Sequence, residues 1–437
     1  MHDAAEAGSL EIMELLLLNG ANISKDCHQM TPLASAAVTG HPAIVEFLIN
    51  RSDCPRIEKI NALELLGATY IDKKRDLVLG VQSWKRAMHE RHNSGQLALQ
   101  KQINEEEKEA YGFRLEFQTL DELNQCLADP DDLRMQALLV RERILGPVHP
   151  DTSYYVRYRG AVCADLGDFT RCISLWLYAI DMQQTHLEPL NLMTQSSLLS
   201  FAELFAFMSA DGRSRPPMDI DTRDMVSVFT RAVNELEKSQ QHMAKSQNER
   251  DRKHLNRLLL IIMHLLALVS KQLRVAGDSF ELKQQVFRFL KLDPQISDGQ
   301  TPLHLCASMS TTTVGKFPVC KFPSSDVARV LVELGADVNA LDIGGNTPLH
   351  IATSNAIVNE EVVEVVKILL NSGSHLDFTN RTGYTAVKAL TASAFEGIVF
   401  PMQYISLQCL AAATIKRCRI PFERELPPKV VEFVRLH

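Results

Sequence analysis

The sequence lacks any excess of positive charge, any C-x-x-C pair and any catalytic signature. Its 46 Lys and Arg against 53 Asp and Glu give a net charge of −7. That balance argues against a general binder of nucleic acid or anionic membrane, and tolerates a basic partner. The nine cysteines are odd in number and dispersed, which suits buried thiols in a reducing compartment rather than a disulfide framework. No Gly-rich phosphate loop, H-E-x-x-H or G-x-S-x-G occurs, so no residue constellation supports an enzyme. The opening residues, MHDAAEAGSL, have neither a basic start nor an apolar run, so no signal peptide is read there. The longest apolar stretch, Leu258 to Val269, is interrupted by His264 and is too short to span a bilayer. The expectation is a soluble protein of the cytoplasm, extending to the nucleus, without membrane, nucleic acid, metal or cofactor.

What the chain does have is internal repetition, and 437 residues are too many for one ordinary core. Gly8 and Gly40 lie 32 residues apart, as do Ala4-Ala5 and Ala36-Ala37, one short of the ankyrin period. The T-P-L turn starts a helix, the Ala pair lets helices approach, and Gly ends the first helix. Ile12, Leu15 and Leu16, and then Ile44, Phe47 and Leu48, are the expected buried face of each second helix. The chain starts inside a repeat, at MHD, so an apolar end surface is expected to be exposed. On that reading the chain is the remainder of a longer array or a shortened isoform.

In the middle, Gly67 precedes Trp84 by 17 residues and Gly160 precedes Trp176 by 16, each Trp followed three residues later by Ala. This pattern resembles tetratricopeptide repeats, whose small residues mark close helix crossings. Further helices are expected through 216–295. T-P-L-H turns at Thr301 and Thr347, with a weaker third opening at Gly383, start a second ankyrin block. The first two lie 46 residues apart, so about 13 residues are inserted relative to the usual period. That insert, TTTVGKFPVCKFPSS, is either a projecting contact loop or a packed Ω-like loop. His304 and His350 are expected to hydrogen-bond between neighbouring repeat turns, and His264 to be a satisfied core residue. Cys27-His28 has no second ligand pair nearby, so no metal is assigned there. The layout is an all-α repeat protein: 1–52 ankyrin, 53–215 tetratricopeptide-like, 216–295 helical connector, 296–398 ankyrin and 399–437 a helical C-terminal box.

Two places carry candidate sites. Tyr154, Tyr155, Arg157, Tyr158 and Arg159 cluster on the first helix of the clear tetratricopeptide unit, where they line a peptide groove or fill space between helices. In the tail, Leu407, Leu410, Ala411 and Ile415 share a narrow stripe with a small residue at its centre. The second tail helix opens with prolines and places Val430, Phe433 and Val434 on one face. Such stripes suit docking to another protein as well as core packing.

Ankyrin repeats, NALELLGATY, RERILGPVHPDTSYYVRYRGAV, further ankyrin repeats and a SLQCLAA tail together resemble the feminization (Fem) family. The resemblance implies a substrate receptor of a cullin-2 RING ubiquitin ligase that recognises C-terminal degrons, notably those ending in or near arginine. It implies elongin B/C, cullin-2 and a RING subunit as partners, and no catalytic residue of the chain's own. Ser406, Leu407, Ala411 and Ile415 match the elongin box in order, Leu407 being the anchor and Leu410 lying on the same stripe. Leu426, Pro427, Val430 and Phe433 match the cullin box. The family's degron pocket lies largely in the N-terminal array, so weak or absent binding of C-terminal arginine is implied. The other reading is an ankyrin and tetratricopeptide scaffold with no ubiquitin role.

Overall fold

In the computed structural model the described residues are 1–437 except 93–96, 103–106, 211–217, 246–247, 278, 315–318, 356, 358, 391–394 and 396–398. The described residues are helical and turn structure with no strand beyond one isolated bridge between Thr379 and Thr385. Two compact units result, Met1–Leu187 and Glu188–His437.

The first unit opens with two ankyrin helix pairs, α1 (His2–Glu6) with α2 (Leu10–Leu18) and α3 (Pro32–Thr39) with α4 (Pro42–Ile49). Thr31 caps α3 by accepting from the Ala34 amide, Pro32 occupies its first turn, and Gly40 ends it at φ 86°. Ala4, Ala5, Ala36 and Ala37 are buried, and so are Ile44 and Leu48, with Phe47 half-buried. Ile12 and Leu15 depart from expectation: both are exposed and Leu16 is half-buried, while Met13 is the buried residue of α2. A repeat helix buries both flanks only between two neighbouring repeats, and among the described residues α2 packs on its own partner α1 and on α4 of the next repeat.

Two helical hairpins follow with a shared design. The first is α5 (Arg56–Thr69) with α6 (Leu77–Arg91). After α7 (Leu120–Cys126) and α8 (Pro130–Leu145) comes the second, α9 (Pro150–Asp165) with α10 (Phe169–His186). A Cβ on Gly67 would stand 2.4 Å from Trp84 Cδ1, and one on Gly160 would stand 2.5 Å from Trp176 Cδ1. Trp84 donates its indole N–H to the Glu64 carbonyl and Trp176 to the Arg157 carbonyl, both at 2.9 Å and both three residues before the glycine. Each Trp sits seven residues into its helix. The extra residue of the first copy is therefore taken up in the turn, as a π-helical segment Tyr70–Lys74 closed by Arg75 at φ 58°.

Between these hairpins lies a buried ion cluster. Glu64 takes a bidentate bond from Arg91 (2.8 and 2.9 Å) and another from Arg143 (2.5 Å). Arg143 also binds Glu116 (2.7 and 3.0 Å), which Lys101 meets at 2.8 Å while standing 3.5 Å over the Phe117 ring. Burial alone would raise the Glu64 carboxyl, but the hydrogen bond from Arg91 and the charges of Arg143 and Lys101 outweigh it and hold it below its ordinary range.

The second unit begins with α11 (Leu192–Ser209), α12 (Thr222–Met243), α13 (Glu249–Ala276) and α14 (Phe280–Lys291). The sequence reading groups α11 with the tetratricopeptide region; it packs instead on α12 and α13. By length and composition Glu249–Val275 could cross a membrane, a feature hidden when only the uninterrupted apolar run is counted, and 67% of its most apolar stretch is buried within the protein. His264, at its centre, is fully satisfied: Nδ1 accepts from the Cys320 amide (3.1 Å) and Nε2 donates to the Thr311 carbonyl (3.1 Å). Burial pushes its pKa down to about 4, only partly offset by the Thr311 bond. Cys320 and the buried Phe322, whose ring lies 5.4 Å from the imidazole, thus fold the described part of the repeat insert onto α13. Its centre, 315–318, lies outside the described residues.

The second ankyrin block comprises α15 (Pro302–Ala307), α16 (Ser325–Glu333), α17 (Pro348–Thr353), α18 (Glu360–Asn371) and α19 (Ala386–Leu390). His304 accepts the Thr301 amide on Nδ1 and donates from Nε2 to the Asn346 carbonyl in the next turn (2.9 Å). His350 repeats this with Thr347 and the Phe378 carbonyl (3.0 Å). Burial lowers both pKa values, so the neutral tautomer that joins the turns is favoured.

Candidate functional site

The chain closes with α20 (Leu407–Arg417) and α21 (Pro428–Leu436), packed on each other. Ser406 starts α20 by accepting from the Cys409 amide (3.2 Å). Pro428 opens α21, where a missing N–H costs no helical bond. Lys416 Nζ donates to the Arg435 carbonyl (3.0 Å), joining the end of the first helix to the end of the second.

The helix α20 has two unlike faces. Cys409 and Ala412 are buried, whereas Leu407 is 84% exposed, Leu410 45% exposed and Ala411 exposed. Ile415 is half-buried. A leucine so exposed in a helix whose other face is anchored adds little to its own fold. On α21, Pro427 and Val430 are exposed, Leu426 is half-buried, and Val431 and Val434 point inward. Val430, Phe433 and Val434, which spacing puts on one face, thus run from exposed through half-buried to buried. Phe433 is half-buried, its ring 5.4 Å from His375 and 4.2 Å from His437.

The tyrosine cluster of α9 divides. Tyr155 is buried beneath the Arg141 guanidinium, 3.9 Å away, so it fills the space between α8 and α9 rather than lining a groove. Tyr154 is 53% exposed, Arg157 is half-buried, and Tyr158 accepts from Arg75 at 2.8 Å. Tyr158 and Arg159 border a cleft of about 430 Å³ together with Asp72, Arg75 and Arg134. Burial pushes the Asp72 carboxyl up to about 6 despite Arg141 beside it.

Cys27 is exposed, and His28 meets the His149 ring edge-on at 5.2 Å. Among the described residues one group of three or more metal-type side chains does converge: His375, Asp377, Cys409 and His437. Sequence spacing gave no sign of it, because its members come from a repeat turn and two separate tail helices.

Comparison with known proteins accounts for both ends of the chain. A family model for ankyrin repeats (three copies) matches residues 1–60 and 279–380. Protein fem-1 homolog C from Mus musculus and from Homo sapiens is 46% identical over 430 residues, which is 98% of this chain and 68% of each relative. Protein fem-1 homolog A from Bos taurus is 42% identical over 477 residues, 100% of this chain and 72% of that protein. Identity at this level spans the hairpins and the tail as well as the ankyrin blocks, and the chain belongs to the fem-1 family.

Proposed function

We propose that this chain is a non-catalytic substrate-recognition subunit of a cullin-2 RING ubiquitin ligase, acting in the cytoplasm and nucleus. The observation that carries the reading is the outward face of α20, with Leu407 exposed on a helix fixed by its opposite side. In this proposal Leu407 enters an apolar pocket of elongin C, Ala411 permits close approach, and Leu410 and Ile415 flank the contact. Leu426, Pro427, Val430 and Phe433 meet the cullin. Acceleration then comes from holding a substrate near a ubiquitin-loaded enzyme, an effective-concentration effect that needs no catalytic side chain in the receptor. C-terminal degrons are the proposed substrate class.

The test is capture of elongin B/C by the purified chain. Binding is expected for the wild type and lost in Leu407→Asp, which leaves the helical circular dichroism unchanged because Leu407 supports little of the fold. An intact complex in that variant refutes the assignment and favours the scaffold reading.

A further inference from the structure

We propose that His375, Asp377, Cys409 and His437 form a zinc site that ties the tail helices to the last ankyrin turn. One ligand atom from each lies within 4.8 Å of the other three. Two edges are already at coordination length: His375 Nδ1 to Cys409 Sγ is 3.3 Å, and His437 Nε2 to Asp377 Oδ1 is 3.3 Å. Tetrahedral zinc with bonds of about 2.0–2.3 Å separates its ligands by about 3.3–3.6 Å. Side-chain adjustments of about 1 Å therefore close the set around an ion.

The surrounding hydrogen bonds point the same way. His437 Nδ1 lies 2.8 Å from the Phe433 carbonyl, which can only accept, so that nitrogen carries the proton. In the neutral ring Nε2 then presents a lone pair to a carboxylate oxygen. Two such atoms are brought together by a proton or by a metal ion between them, and both His437 Nε2 and Asp377 Oδ1 are buried without a well-formed hydrogen bond, which favours the ion. The His437 side chain has no solvent exposure at all. A histidine held through one nitrogen by a carbonyl, with the other free, is the usual outer arrangement of a metal ligand. Ser406 Oγ lies 3.1 Å from Cys409 Sγ and supplies the equivalent support for a thiolate.

The charge also balances. One thiolate and one carboxylate neutralise a divalent ion, and two neutral imidazoles complete four-coordination, so burial of the set costs little. Sulfur, nitrogen and oxygen donors in a compact tetrahedral set select zinc over magnesium or calcium. Rings of Phe378 and Phe433 pack against His375, stacked at 4.5 Å and edge-on at 5.4 Å, and wall one side of the group. Binding converts the Cys409 thiol to a thiolate and releases its proton to solvent.

The experiment is a cobalt titration of the chelator-treated full chain, followed by zinc. One equivalent of Co²⁺ should produce visible tetrahedral ligand-field bands and a thiolate-to-cobalt band, and one equivalent of Zn²⁺ should bleach both. Cys409→Ser should abolish the thiolate band, His437→Gln should weaken binding at least a hundredfold, and Cys418→Ser should change neither. Zinc should also raise the thermal midpoint of the wild type and not of the two ligand variants. Absence of stoichiometric cobalt binding, or wild-type affinity in either ligand variant, overturns the assignment. The readout involves no elongin, so its outcome is separate from that of the proposed function.

Discussion

Gly67→Ala and Gly160→Ala test whether the two hairpins are held by the packing of tryptophan against glycine. At Gly160 the added methyl would stand 2.5 Å from two atoms of Trp176, with the Cys172 carbonyl at 3.3 Å. At Gly67 it would stand 2.4 Å from Trp84 and also 2.9 Å from the Gly80 carbonyl. Overpacking costs about 1–3 kcal/mol. Displacing the indole from its 2.9 Å hydrogen bond adds about 1 kcal/mol. Against this, replacing Gly by Ala inside a helix contributes about 1 kcal/mol of stability. The net expectation is a loss of about 2 kcal/mol for Gly160→Ala, where the indole can shift. It is about 3–4 kcal/mol for Gly67→Ala, where backbone stands in the way and cannot. The chain has two tryptophans, both in these hairpins, so indole fluorescence reports the first unit directly. Urea unfolding followed at that signal gives both numbers, with Trp84→Phe and Trp176→Phe backgrounds separating the hairpins. A neutral Gly67→Ala, or a larger loss at Gly160 than at Gly67, refutes the reasoning.

Removing Glu64 from the buried ion cluster, as Glu64→Gln, leaves Arg91 and Arg143 without their shared carboxylate. It should cost about 3–5 kcal/mol of first-unit stability in the same fluorescence assay. His264 makes the second unit sensitive to acid. Its folded pKa, lowered to about 4, lies below the ordinary 6.5, so its stabilising effect is complete above pH 6.5 and fades as pH falls toward 4. The loss should reach about 3 kcal/mol at pH 4, from about 1.4 kcal/mol per pKa unit. His264→Leu should be less stable at pH 7, because the Thr311 carbonyl and Cys320 amide lose their partner, and its stability should depend less on pH between 6.5 and 4. Calorimetry of the two proteins at pH 7 and pH 4.5 checks this, and equal slopes would count against it.

Local chemistry was legible wherever one residue type suffices for a geometric task. The close crossings marked by Gly67 and Gly160 and the histidine bonds between repeat turns can each be read from spacing, and each appears as expected. Ile12 and Leu15 were misread because periodicity tells which residues share a stripe and not whether a neighbour covers it. Spacing left two readings open for Tyr155, and it takes the space-filling one because Arg141, which covers it, comes from another helix. The Glu64 cluster gathers charges from four stretches of chain, and the His375 group gathers ligands from three. Neither leaves a local pattern, because its spacing is set by tertiary packing.

The two faces of α20 separate what a substitution there can do. Changes at Leu407, Leu410 or Ala411 alter what the helix offers while leaving it where it is. Changes at Cys409 or Ala412 keep the offered surface but release its aim, since those side chains seat the helix against the body of the second unit. Residues of the outer stripe can therefore change with little effect on folding. Orientation is fixed from behind, by side chains buried beneath the helix.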